Sequence, residues 1–472
     1  MNFFYKSGTL ATYMKETETT MDKIVSLAKR RGFVFPGSDI YGGLKGTWDL
    51  GPLGVALNNR IKSEWWKMFV DGREDMYGLD ASILMNAKVW EASGHVAGFF
   101  DPLVEDVKTG ERFRADHLLG DAGVEAEGLS LEELDAAIVE KRLKSPKGND
   151  LSPARQFNMM FQSQIGPTAG PDATVYLRPE TAQGIFVNFK NVVDTMSPKM
   201  PFGIAQIGKA FRNEIAPREW LFRVREFEQM ELEYFVKEED WKAEYDKMLD
   251  DIRTWHRHIG LADANIREFE VPENDLAHYS KRTIDFEYNY PGKGFDELAG
   301  FAYRTDHDLK NHEEASGVKM RYTPVEGAPF IPHVLEPSFG IGRALTAVLC
   351  EAYTEDSIGD SSRVYLKLPA HLAPYRVAVS PLLKNKPLLV EKAREVFVAL
   401  KAEFGNVAWD DNGNVGKRYR RQDEIGTPHC IVIDFETLGE EDISLKDTVT
   451  VRNRDTGEQE RVAIAGLAEY LK

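Results

Sequence analysis

The chain has 472 residues, 59 Lys+Arg against 76 Asp+Glu, a formal net charge of −17 and 42% hydrophobic residues. That is the balance of a folded globular protein of about three domains' length; its acidity argues against a general nucleic-acid coat but permits a local basic site. No run of about 20 apolar residues occurs, so neither a spanning helix nor a membrane partner is expected. Cys350 and Cys430 form no CxxC pair, which excludes a disulfide framework and a Cys-rich zinc site and fits a reducing cytoplasm.

Near the start, Lys6 and Lys15 are followed by Glu16 and Glu18, which predicts neither a secretory signal nor an Arg-rich transit peptide. Leu53, Leu57, Ile61, Trp65 and Phe69 make a helical stripe over 53–70, opened by Gly51-Pro52. The polar stretch 121–144 holds a helical part, LSLEELDAAIVEKRL, in which Ser130 and Glu133 are spaced as a capping box. Residues 145–153, SPKGNDLSP, read as a linker, and about 101–153 as an insertion in a larger domain.

Two strand-like runs, GIAQIGKAFRNEI and LFRVREFEQMELEYFV, flank APRE and predict a long antiparallel hairpin over 203–236. Residues 240–259 read as a helix, with His256 and His258 structural. From 370 onward the pattern changes to an α/β unit: strand YRVAVSP, helix 388–404, strands HCIVIDF and DTVTVRNR, helix 461–471. Its basic cluster, Lys417, Arg418, Arg420 and Arg421, is a candidate nucleic-acid contact or simply a solvated face.

The second run alternates with period two from Phe222. Even positions Phe222, Val224, Met230, Leu232 and Tyr234 read as core, interrupted by Glu226 and Glu228. Odd positions align Arg223, Arg225, Phe227, Gln229, Glu231 and Glu233. On the partner run, Gln206, Gly208, Ala210, Arg212 and Glu214 share that second face, and the small residues leave room above it. Phe227 and Glu231 stand roughly 13 Å apart along a strand, the reach of a ligand with a flat ring, a phosphate and an ammonium. An exposed sheet face of salt-bridged charges fits the same pattern, and the residues alone leave both open.

Gly203–Ala210 nearly matches GxxxxGK[ST], but Ala210 replaces the metal-binding hydroxyl and the run alternates like a strand, so no phosphate loop is expected. Pro337-Ser338-Phe339-Gly340-Ile341-Gly342-Arg343 is a Gly-rich strand end running into a helix, where a ligand can approach the backbone. Glu336 just before it could hold a divalent ion bridging phosphates. Neither HExxH nor GxSxG occurs.

Taken together, these segments resemble class II aminoacyl-tRNA synthetases. The helix 53–70 looks like their first motif, FRNE with Arg223–Phe227 like the second, and Phe339–Arg343 like the third. YLRPETAQGIF, GKAFRNEIAPR, REFEQMELEYF and EPSFGIGR are similar to the glycyl-tRNA synthetase family of the single-chain homodimeric kind, from about residue 20 to the end. The resemblance implies an α+β catalytic domain on an antiparallel sheet over 1–369, with an inserted helical segment, and an α/β anticodon-binding domain over 370–472. It implies a homodimer, with the 53–70 region at its two-fold interface, acting on glycine, ATP with Mg²⁺ and tRNA(Gly).

The implied ATP contacts are Arg212, Asn213, Glu214, Phe222, Arg223, Val224, Arg225, Glu226, Phe227, Glu297, Leu298, Gly340, Ile341, Gly342 and Arg343. Arg212 and Arg343 would be catalytic, and Glu336 would reach Mg²⁺ through ATP. The implied glycine contacts are Arg114, Glu180, Phe227, Glu228, Gln229, Met230, Glu231, Glu336, Pro337, Ser338, Phe339 and Gly340, with Arg304 a further substrate contact. The basic cluster from Lys417 to Arg421 would meet tRNA. Some relatives carry cysteines ahead of the RADH segment; DVKTGERFRADH has none, so no structural zinc is expected. Synthetases for serine, threonine or proline would share the motifs, but Glu180, Glu231 and Ser338 together argue for glycine. A non-catalytic relative would have lost Arg212, Glu214, Phe227 and Arg343.

Overall fold

The structure, a computed structural model, describes residues 10–126, 128–167, 173–217, 220–359, 361–440 and 442–472. Arg218 and Glu219 of APRE, and the first residues on which the leader reading rests, lie outside them.

Helices α1 (Leu10–Arg31) and α2 (Pro52–Trp66) flank a ribbon pairing Val34–Pro36 with Trp48–Leu50. After strand β1 (Met76–Gly78) come β2 (Phe100–Glu105), β3 (Arg112–Arg114), α3 (Ala115–Asp121), α4 (Leu131–Glu140) and β4 (Arg155–Asn158). The main body continues with α5 (Ala182–Met196), β5 (Phe202–Phe211), β6 (Glu226–Val236) and α6 (Trp241–His258). It is completed by β7 (Ile266–Glu270), β8 (Arg282–Tyr290), β9 (Gly294–Thr305), α7 (His307–Ser316), β10 (His333–Gly340) and α8 (Ile341–Ala352). A hairpin, β11 (Tyr353–Ile358) and β12 (Ser361–Leu366), leads to the C-terminal unit. That unit comprises β13 (Val377–Pro381), α9 (Pro387–Phe404), β14 (Val407–Trp409), α10 (Val415–Glu424), β15 (His429–Ile433), β16 (Thr448–Asn453), β17 (Gln459–Ala463) and α11 (Leu467–Tyr470).

The main sheet has seven strands in the order β7-β8-β9-β10-β6-β5-β1, antiparallel except for the β5–β1 pair. On one face α2, α6 and α8 bury a large apolar core against Met230, Leu232 and Phe339. The stripe of α2 belongs to it: Leu53, Leu57, Ile61 and Trp65 are buried, and the helix continues as a π turn, Lys67–Asp71, that keeps Phe69 buried too. These side chains therefore pack inward and do not form a contact surface. A Cβ on Gly54 would come within 1.9 Å of the Phe33 carbonyl oxygen, so only glycine lets α2 seat this closely. The C-terminal sheet is mixed, in the order β14-β13-β15-β16-β17.

Elsewhere the chain departs from the sequence pattern. The hairpin's second strand starts at Glu226, not Phe222, because Arg225 donates its backbone N–H to Gly46 and its guanidinium to Lys45, which draws 222–225 out of the sheet. Besides α3 and α4, whose Ser130–Glu133 capping box is formed, the insertion carries a three-stranded sheet β3-β2-β4. SPKGNDLSP is not a free linker, since Ser145 and Asn149 donate to Asp106 at 2.6 and 3.0 Å. Residues 459–463 pair with β16 as a strand, leaving a 3-10 turn at Ile464–Gly466 and an α-helix at Leu467–Tyr470.

His256 on α6 lies edge-on to Phe286 and Phe339, and neither ring nitrogen has a hydrogen-bond partner among the described residues. Burial pushes its imidazole from 6.5 down to about 3. The folded protein therefore keeps it neutral while the unfolded chain takes up a proton, so stability present above 6.5 is lost as pH falls toward 3. Between about pH 7 and pH 5 the stability gap between wild type and His256→Phe should shift by about 2 kcal/mol in favour of the variant, as read by urea unfolding. A gap independent of pH would contradict this.

Candidate active site

Side chains of β6 alternate between the two faces of the sheet. Met230, Leu232 and Tyr234 enter the core, while Phe227, Gln229, Glu231 and Glu233 face the other side. At the far end of that second face, Phe235 packs with Phe202 and Ile204 beneath α5. A groove closed at that end therefore opens toward Phe227, as a cleft of about 450 Å³. The space above Gly208 is not empty: the Arg178 guanidinium fills it and donates to Lys209 and Ala81 carbonyls at 2.6 and 2.8 Å.

The closed end is acidic. Glu231, 2% exposed, accepts from the Thr181 backbone N–H at 3.0 Å and from its hydroxyl, and from Gln229 at 3.3 Å. Ser338 stands directly across from it on β10, accepting from Gln229 at 3.2 Å. Glu180, just before α5, accepts from Gln183 at 3.1 Å and pairs with His95 at 3.3 Å. Glu336 accepts from Arg304 at 2.8 Å, and Arg304 also grips Asp308 with two bonds of 2.8 Å. Carboxylate oxygens of Glu231, Glu233 and Glu336 lie within 4.8 Å of one another.

Crowding sets the charge states. Burial, and then Glu180, pushes the Glu231 carboxyl up. Burial and Glu336 push Glu233 up further, and burial raises Glu336 although Arg304 opposes it. Glu180 goes the other way: despite burial, His95, Arg304 and Gln183 hold it well below the usual carboxylate range. This end is built for a small cation that donates hydrogen bonds.

The open end pairs cations with rings. Arg212 lies 5.3 Å over Phe227 and 5.5 Å over Phe99. Arg343 lies 4.5 Å over Phe222, and its Nη1 is 2.7 Å from Glu297, which it holds below the normal carboxyl range. Glu214, Arg223, Val224, Leu298, Gly340 and Gly342 line the cleft between these ends, and Arg114 borders it, bridged to Asp101 at 2.9 Å and to Asp116 at 2.5 Å.

Other expected contacts point elsewhere. Glu228 faces α2, bonded to Asn58 at 2.9 Å and Lys62 at 3.0 Å, while Met230, Phe339 and Ile341 are core. Arg225 is spent on backbone carbonyls and Glu226 on Lys209 at the surface. Asn213 and Pro337 do not line the cleft. Arg304, 1% exposed, does not line the cleft and is bonded to Glu336 and Asp308. Glu336 also lines the cleft, with one oxygen taken by Arg304; Glu297 is a carboxylate beside Arg343 at the open end. In the C-terminal unit, Arg418 is buried against carbonyls of Pro381, Asp411 and Gly413, and Arg421 forks onto Asp410 at 2.6 and 3.0 Å. Lys417 and Arg420 are exposed.

Some site residues escaped sequence reasoning. Glu233 continues the odd face of β6, a signal the period carried, yet neither of its oxygens has a partner among the described residues. Asp285 lines the cleft from β8, its carboxyl pushed up to about 7 by burial and by Glu297. Thr181, Gln183 and His95 carry no sequence signal beyond their neighbours.

Residues 170–353 match the class II core domain model of the tRNA synthetases for G, H, P, S and T, and residues 376–472 match the anticodon binding domain model. The chain is 45% identical to a glycine–tRNA ligase of Deinococcus radiodurans, over 96% of this chain and 99% of that protein. It is 47% identical to one from Alkaliphilus oremlandii, over 96% and 98%. The chain belongs to the glycine–tRNA ligase family. A third member, from Clostridium kluyveri, is 48% identical over 96% and 98%. The cleft from Glu180 to Arg343 falls in the family's core domain, and α10 in its anticodon-binding domain. No helix among the described residues is long and apolar enough to cross a membrane.

Proposed function

We propose that the cleft joins glycine to ATP as glycyl-adenylate and then passes the glycyl group to the 3′ end of tRNA(Gly). The observation that carries this is the meeting, on one strand face, of an acidic pocket with a cation-and-ring site. Glu180, Glu231 and Ser338 suit the ammonium, with the groove closed behind them by Phe235 and α5. Phe227, with Arg343 across the cleft, suits the adenine ring, and Arg212, over Phe227, suits the phosphate. In the first step the glycine carboxylate attacks the α-phosphorus in line and pyrophosphate leaves. In the second a ribose hydroxyl attacks the acyl carbon and AMP leaves. Neither step needs a protein nucleophile; positioning and matched cations supply the catalysis. Mg²⁺ would enter as part of the nucleotide substrate, with Glu336, and Glu297 beside Arg343, the carboxylates offered to it. The insertion offers no cysteine, and no zinc is assigned to it. The free, buried Cys350 and Cys430 suit a reducing cytoplasm.

The catalytic domain is taken as 1–369 with its insertion, and 370–472 as the anticodon-binding domain. Of the basic cluster, Lys417 and Arg420 are retained as tRNA contacts. A homodimer completes the reading; with the α2 stripe spent inside, the exposed Ile40, Tyr41 and Leu44 are offered as its contact.

Glycine-dependent ATP–pyrophosphate exchange tests the assignment. Arg212→Ala should lose about 3 kcal/mol of transition-state stabilisation, and near-normal exchange would sink its role. Arg420→Glu should raise the tRNA KM several-fold and flatten its salt dependence by about one charge; an unchanged KM at physiological salt would leave α10 a solvated face. Sedimentation at micromolar concentration should give twice the single-chain mass, and a fully active single chain would overturn the dimer.

A further inference from the structure

His95 sits outside the cleft lining yet touches its acidic end. It belongs to a short helix, His95–Gly98, between α2 and the insertion, and its ring is wedged edge-on to Trp90 at 5.4 Å and against Phe99 at 5.6 Å. Its Nδ1 is 2.8 Å from the Ser93 hydroxyl, and its Nε2 is 3.3 Å from a Glu180 oxygen. Ser93 is itself buried. The other Glu180 oxygen accepts from Gln183. The remaining charged and titratable groups nearby are Arg212 over Phe99, His278 beside Gly94, and Arg304 and Glu231 around Glu180.

We propose that His95 is a positioning residue for the amino-acid pocket: Ser93 donates to Nδ1, the proton of the neutral ring is on Nε2, and Nε2–H aims one Glu180 oxygen at the ammonium. The inference rests on the reading of this pocket as the glycine site. A carboxylate beside an ammonium gains most when it is already oriented, because a mobile one must be ordered as the ligand binds. Glu180 leads into α5, so without His95 it keeps only Gln183 as a side-chain partner among the described residues. The two partners act from opposite sides, and each fixes one oxygen. The tautomer follows from the carboxylate: Glu180 can only accept, so Nε2 carries the proton of a neutral ring, Nδ1 is left to accept, and the Ser93 hydroxyl, also 3.4 Å from the Trp90 carbonyl, turns its proton to the closer Nδ1.

His95→Phe keeps the packing against Trp90 and Phe99 and removes both polar contacts. It should raise the glycine KM by about tenfold while the ATP KM stays within about twofold. His95→Gln places an amide N–H near the Nε2 position and should recover most of that loss. A purely packing role predicts the reverse, with His95→Phe near wild type and His95→Gln impaired; that result overturns the proposal, as does an equal rise in both KM values. Nitrogen-15 NMR of histidine-labelled wild-type protein, with His95→Gln used for assignment, removes any dependence on a variant's folding. The Nε2–H tautomer at neutral pH is expected, and the Nδ1–H tautomer overturns the proposal. Glu231→Gln separates this from the underlying reading. If Glu231→Gln leaves the glycine KM unaltered, the pocket itself is misassigned; if it raises the KM and His95→Phe does not, only the role of His95 fails.

Discussion

The arrangement depends on keeping more carboxylates out of water than the local cations can balance. Asp308 and Glu336 divide the Arg304 guanidinium, Glu180 relies on His95 and Gln183, Glu231 on Thr181, and Glu233 has no partner among the described residues. Buried charges left uncompensated are among the costliest features a fold can hold, so protons or a bound cation must complete the set. The central strands make this tolerable because β9, β10 and β6 are laced together on both sides and cannot spread to admit water. An ammonium entering the cleft would replace those protons and meet carboxylates whose positions are already fixed by the sheet.

From that end outward the cleft reverses sign within one strand. Glu231 and Phe227, where Arg212 stacks, are four positions apart, so a ligand seated along β6 would have its positive end against carboxylates and its negative part against guanidinium. The C-terminal unit is anchored by the same kind of chemistry. Asp423 on α10 takes two bonds from Arg452 and one from Arg363, and Arg363 reaches it from β12, outside that unit. Glu424 next to it pairs with Arg30 and Arg31 of α1.

What was legible in the sequence is what repeats locally. The period of β6 separated its core face from its acid face, and the α2 stripe identified a helix, because each depends on neighbours in the same element. What was not legible depends on partners far along the chain. Phe222–Arg225 alternate as well as any strand, but Lys45 and Gly46 hold the backbone of Arg225 elsewhere. Residues 461–471 have helical spacing, yet β16 offers an edge and 459–463 pairs with it. Arg418 looks like part of a basic surface, but three backbone carbonyls converge on it and it is buried. Nothing near Glu336 in the sequence announces Arg304, which comes from the neighbouring strand and takes one of its oxygens.

The two-sided character of β6 also limits how a gene for this fold can change in length. Deleting or inserting one codon within Glu226–Val236 would exchange the faces beyond that point, sending Leu232 toward the ligand and Glu231 into the apolar core. Recognition and stability would fail together, with no intermediate form that keeps either. Growth and shrinkage are therefore confined to segments that hang off the sheet, such as the β2–β4 insertion with its own small core, where added chain changes neither register.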